Sequence, residues 1–98
     1  MTEVVFLDPA LAELRQAAQW YDQQESGVGR EFLTAVDQGL NRLLHDPTAR
    51  PIAAERTHRQ SLDRFPFELL YRICQTRIEI VAVAHHSRRP GYWQKRIR

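Results

Sequence analysis

Apolar residues along this chain change their spacing once, near Pro51, and the change separates a helical first half from a stranded second half. Leu11, Leu14, Ala18 and Tyr21 recur at i, i+3, i+7 and i+10, the period of one helix face, to about Gln24. Ahead of them Val4 to Leu7 is a short apolar run closed by Asp8-Pro9. That predicts a strand and then a helix, with Asp8 as its cap and Pro9 at its first position. Ser26-Gly27-Val28-Gly29 interrupts the pattern, and Phe32, Leu33, Val36, Leu40, Leu43 and Leu44 mark a second amphipathic helix that stops before Asp46-Pro47. Helices joined by so short a turn pack as an antiparallel hairpin.

Beyond Pro51 the segments Arg56 to Leu62, Phe67 to Cys74 and Arg77 to His85 read as strands, the last two joined through Gln75-Thr76 as a hairpin. In the final strand Ile78, Ile80, Ala82 and Ala84 are expected on one face, Val81 and Val83 on the other. Both faces are apolar, as in a central strand covered on both sides. In Arg64-Phe65-Pro66-Phe67 the proline holds Phe65 extended and marks a strand entrance or bulge, which sends the phenylalanines to the core and leaves Arg64 for function. The tail, Ser87 to Arg98, is expected to add a short edge strand or to lie loose. The fold class is α+β: a strand, an antiparallel helix hairpin, then three to four mostly antiparallel strands forming one sheet.

Composition bounds this picture. The 98 residues, 43% hydrophobic and 27% charged, make a single domain, 1–98. No apolar run approaches the roughly 20 residues of a membrane helix, and Met1-Thr2-Glu3 does not open a secretory signal, so a cytoplasmic location with no membrane partner is expected. Cys74 is the only cysteine, which excludes an internal disulfide and a multi-thiolate zinc site and places it in the core. Charge is uneven: residues 1–49 carry three arginines against eight acids, a net of −5, and residues 50–98 carry eleven basic residues against four acids, a net of +7. The second half is a target for anions. Thirteen of the fourteen basic residues are arginine, which favours planar, bidentate contacts.

Candidate chemistry gathers in that half. Arg59, Arg64, Arg72, Arg88, Arg89, Arg96 and Arg98 make either a solvated face or, with Tyr92 and Trp93 among them, a surface that docks an anionic target. Trp93 serves such a surface or caps the sheet. His45 sits at a helix end where it complements the dipole. His85 and His86 are neighbours on a strand and point to opposite faces, so they do not chelate one metal; neither a metal nor a cofactor is expected. His85, with an ordinary pKa of about 6.5, suits proton transfer to or from a phosphodiester, the alternative being a plain strand-end histidine. No Gly-x-Ser-x-Gly turn, phosphate loop or supported Cys-His pair appears.

Over nearly its whole length the chain resembles the RelE/ParE superfamily of toxins from bacterial type II toxin–antitoxin pairs, often called plasmid stabilisation proteins. The resemblance is carried by Ala17-Ala18-Gln19-Trp20-Tyr21, Gly29-Arg30-Glu31-Phe32-Leu33, Asp46-Pro47, Arg64-Phe65-Pro66-Phe67, Tyr71-Arg72, Ile78 to Ala84 and His85-His86-Ser87-Arg88-Arg89-Pro90-Gly91-Tyr92-Trp93. It implies a toxin that arrests growth, neutralised by a small acidic antitoxin. Two mechanisms stay open under it. One is binding and inhibition of a target such as DNA gyrase, through Arg59, Arg64, Arg72, Arg88, Arg89, Trp93 and Arg96. The other is metal-independent endoribonuclease action on mRNA at the ribosome, with His85 as base, Arg59 or Arg64 on the phosphate, and Arg88 or Tyr92 as acid. The lysines common in the cleaving branch have no counterpart, since Lys95 stands alone, which favours the binding mechanism. A nontoxic module that only binds its antitoxin is the third reading.

Overall fold

A computed structural model describes residues 2–54 and 56–97, so Arg98 lies outside the described residues. The elements run β1 (Glu3–Phe6), α1 (Asp8–Gln24), α2 (Val28–His45), β2 (Ile52–Ala54), β3 (Thr57–Ser61), β4 (Phe67–Ile73) and β5 (Arg77–His85), with short 3-10 turns at Pro47–Ala49 and Gln94–Ile97. The five strands form one sheet in the order β1-β5-β4-β3-β2. β1 runs parallel to β5, and every other pairing is antiparallel. The expected α+β layout therefore holds, with one strand more than the periodicity marked, because β2 is a three-residue edge too short to show a period.

The helix hairpin turns at Gly27, whose φ of 95° is cheap only for glycine. Asp22 fastens the turn by accepting the amides of Gly27 and Gly29 through Oδ1 at 2.9 and 3.3 Å. Gly29 is the point of closest approach: a Cβ there would stand 2.5 Å from the Ala18 carbonyl oxygen. One expectation at the other end needs correction. α1 begins at Asp8 itself, the capping position is Leu7 in extended conformation with no side-chain cap, and Asp8 acts within the first turn, where a negative charge meets the positive end of the helix.

Both helices lie on one face of the sheet. There Phe32, Leu43, Leu69, Tyr71, Ile78 and Ile80 are essentially inaccessible, and each such side chain contributes about 1.5–3 kcal/mol of burial. Tyr21, Phe32, Phe65 and Phe67 form an aromatic cluster with centroids 4.9 to 6.1 Å apart. Both phenylalanines flanking Pro66 thus turn inward as expected. Tyr71 donates to the Pro47 carbonyl at 2.6 Å, and burial pushes its pKa up to about 12. Cys74 is half-buried at the end of β4 and does not belong to the core.

Strict alternation in β5 fails at one residue. Tyr71 pairs with Ile80 but Leu70 pairs with Ala82, so Val81 is an extra residue, a β-bulge. Ile78, Ile80 and Val83 consequently face the helices, while Val81, Ala82 and Ala84 face the other way. On that second face Leu70, Val81, Ala82, Ala84 and Trp93 make a smaller core, covered by Leu7, Ala54, Tyr92 and Ile97. The tail is neither an edge strand nor loose: it folds back over the sheet, and Trp93, 4% exposed, closes it.

Candidate functional site

The site grows from an incomplete strand edge. β1 pairs with β5 only over Arg77 to Ile80, and the Leu7 amide ends that ladder on the Ile80 carbonyl at 3.0 Å. Past Ile80 no strand among the described residues flanks β5 on this side. Backbone groups left there need partners. Two side chains supply them: Glu13 of α1 accepts the Val83 amide at 3.0 Å, and Arg96 of the tail donates to the Val81 carbonyl at 3.0 Å.

These two side chains also meet each other. Arg96 donates to both Glu13 oxygens, at 2.8 and 3.0 Å, and the Tyr92 hydroxyl donates to the same carboxylate at 2.6 Å. Arg88 stands 3.9 Å from it and lies over the Tyr92 ring at 3.8 Å. Burial is the largest single influence on Glu13 and opposes its ionisation. Arg96, Tyr92 and the Val83 amide together outweigh burial and hold the carboxyl below its ordinary range. Tyr92 moves the opposite way, its pKa raised by burial and then by the adjacent Glu13 anion.

Two depressions flank this network. On the helix side an apolar groove of about 630 Å³ runs between α1 and the sheet, lined by Ala17, Trp20, Tyr21, Pro66, Phe67 and Val83. Trp20 in its wall is 55% exposed, unusual for so large an apolar ring. On the opposite face a cleft of about 340 Å³ is lined by Arg59, Leu70, His86, Arg89, Tyr92 and Trp93. It adjoins a second hollow containing Arg50, Gln60 and Ser61, the two sharing Arg59, Glu68 and His86. His85 and Arg88 line both the groove and the cleft and so form the ridge between them.

The remaining residues singled out by sequence are placed less uniformly. The Nδ1 of His85 accepts the Ser87 amide at 3.0 Å, and the ring stands edge-on to Phe67 at 5.0 Å. With Nδ1 accepting, the ring proton is on Nε2, so neutral His85 offers a donor outward and no free lone pair. Arg64 is not brought to His85. It pairs with Glu31 at 3.2 Å and lines a different depression with Arg30 and Asp63. Arg72 and Arg77 both bind Glu79, at 2.6 and 2.7 Å, and hydrogen bonds from Arg77 and then Arg72 hold that carboxyl below its usual range.

One continuous positive surface is therefore not what these arginines make. Arg64, Arg72, Arg88 and Arg96 each face an acid, and Trp93 is buried under the tail rather than presented. Arg59 and Arg89 remain with no carboxylate of the described residues within ion-pair distance, beside His86, which is 3.8 Å from Glu68. Sequence reasoning missed Glu13 altogether. It is one acid on the polar side of an amphipathic helix, and nothing local distinguishes it from Glu25 or Glu31. Among the described residues no group of three or more His, Cys, Asp or Glu is placed to hold a metal ion, and no helix is long and apolar enough to cross a membrane.

Comparison with known proteins follows the fold closely. Among solved structures the chain is similar to one from the chromosomal ParDE TA system of P. aeruginosa, with a TM-score of 0.75 and 17% identity, over 87% of this chain and 96% of that one. At that identity the likeness is one of fold. No curated protein matches the sequence. A family model described as the ParE toxin of the type II toxin-antitoxin system, parDE, matches residues 4–90, from β1 to the proline after the Arg88-Arg89 pair. That span takes in the helix hairpin, the bulged strand and the ridge, and the chain belongs to the ParE toxin family of type II toxin–antitoxin systems.

Proposed function

We propose that this toxin acts by binding and inhibiting DNA gyrase, and that an acidic antitoxin restrains it by covering the groove and the cleft on either side of the His85–Arg88 ridge. The observation that carries the reading is the state of the groups a cleavage reaction would use. A general base for the 2′-hydroxyl needs a free lone pair, and the Nδ1 of His85 is engaged by Ser87. An acid needs a proton it can release, and the Tyr92 hydroxyl is committed to Glu13, its pKa raised. Arg64 lies in another depression. By contrast Arg59 and Arg89, in a concave cleft and with no carboxylate of the described residues within ion-pair distance, suit recognition of carboxylates on a protein partner.

The antitoxin half of the proposal draws on the P. aeruginosa relative, which comes from a chromosomal ParDE TA system. An acidic partner complements the +7 of residues 50–98. The test is a supercoiling assay with the purified protein, with and without its antitoxin. Inhibition relieved by the antitoxin supports the proposal, and full gyrase activity at micromolar toxin removes gyrase as the target. Transcripts mapped in growth-arrested cells supply the other arm: specific cleavage there would replace the binding mechanism with a nuclease.

A further inference from the structure

We propose that Glu13 is a latch: it holds the C-terminal tail against the open edge of β5, and an extended segment of the antitoxin, pairing with β5 at Val83, displaces its carboxylate and loosens the tail. The inference rests on the antitoxin reading above and concerns how binding there is transmitted. A strand added to β5 must place a carbonyl on the Val83 amide and an amide on the Val81 carbonyl. Both positions are occupied, the first by Glu13 and the second by Arg96. The two groups blocking the edge are thus the two halves of one ion pair.

That ion pair also helps to tie down the tail, beside the packing of Trp93 and Ile97 on the sheet. Arg96 and Tyr92 both bind the Glu13 carboxylate, and Arg88 is held near it. Withdrawal of one carboxylate therefore opens the strand edge and unfastens the tail together. The occupant is specified by what surrounds the edge. Apolar side chains fit beside the exposed Trp20 ring and against Tyr21 and Phe67, and a carboxylate is required to pair Arg88 on the ridge once Glu13 has left, Arg96 going with the tail into water. An extended, apolar and acidic segment meets both demands. Glu13 is in this sense a positioning residue, acting on the ridge and cleft through the tail.

Hydrogen exchange on the full-length toxin, alone and co-purified with the full-length antitoxin, tests the latch. The Val83 amide is expected to stay protected in the complex, now by a strand carbonyl, while the amides of Gln94 to Ile97 exchange about tenfold faster or more. Tail amides that exchange unchanged or more slowly in a complex that does form overturn the latch and leave the antitoxin reading intact. If no complex forms, both fall. Glu13→Gln gives a second readout, because it keeps an oxygen for the Val83 amide but loses the charge that holds Arg96. The variant is expected to bind the antitoxin about tenfold more tightly, and equal or weaker binding by the folded variant overturns the proposal. Should it not fold, the exchange experiment on the unmodified chain decides alone.

Discussion

The carboxylate of Glu13 and the guanidinium of Arg96 lie 2.8 Å apart, although 83 positions of sequence separate them. Their contact closes the chain on itself, fastening the last turn of the tail to the first helix across the unfinished edge of β5. Both side chains are mostly shielded, 14% and 18% exposed, so removing one strands the other in a poorly hydrated place.

Glu13→Ala should accordingly lower folding stability by about 2–4 kcal/mol, because Arg96, the Tyr92 hydroxyl and the Val83 amide all lose their acceptor. Urea denaturation measures it. The double variant Glu13→Ala/Arg96→Ala should recover part of the loss, since the second change removes the unpaired cation; additive losses would argue against coupling.

Acid should destabilise the protein through two identified groups. Glu13 and Glu79 are both held below their ordinary value of 4.5, so the unfolded chain binds more protons in that range and stability rises with pH. Their contribution is complete above about pH 5 and drains away as pH falls through the depressed folded values. Thermal melts from pH 7 downward should show the fall, and Glu79→Gln should flatten part of it.

The two hairpin glycines should fail for different reasons. At Gly29 an added methyl group meets the Ala18 carbonyl oxygen at 2.5 Å, so Gly29→Ala should cost about 1–3 kcal/mol by forcing the helices apart. Gly27 has open space around it but a φ of 95°, so Gly27→Ala should cost about 1–2 kcal/mol through backbone strain alone. Substituting asparagine at residue 27, which tolerates the left-handed region, should recover much of the second loss and would do nothing for the first.

Charge reversal should separate function from folding. Arg59→Glu/Arg89→Glu is expected to relieve growth arrest at least tenfold in plating efficiency while stability moves by less than about 1 kcal/mol, because neither residue has an ion-pair partner among the described residues to lose. Arg64→Gly is the control. Its φ of 68° already suits glycine and its side chain lies in another depression, so arrest and stability should both persist.

What could be read beforehand divides along local and nonlocal lines. Leu11, Leu14, Ala18 and Tyr21 announce α1 because a helix face repeats within a few residues, and the hairpin turn is written in Gly27 and Gly29. Arg77 to His85 is legible as a strand for the same reason, but its alternation is not, because the bulge depends on how β4 pairs with it. Charge was the least transparent. Counting arginines locates a basic half, yet Arg64 finds Glu31 and Arg96 finds Glu13 in the acidic one, so folding cancels much of what composition displays. Trp93 shows the same limit, since an aromatic among arginines looks like a contact surface until the tail is seen to fold over the sheet.

An irregularity in one strand also sets which edits the protein can absorb. Deleting Val81 would regularise the ladder while leaving Ala82 opposite Leu70 and Val83 opposite Leu69, so downstream side chains would keep their neighbours. The carbonyl that Arg96 grips would vanish with it. The register of the ladder can spare this residue, whereas the smaller core it fills and the closing turn of the chain cannot.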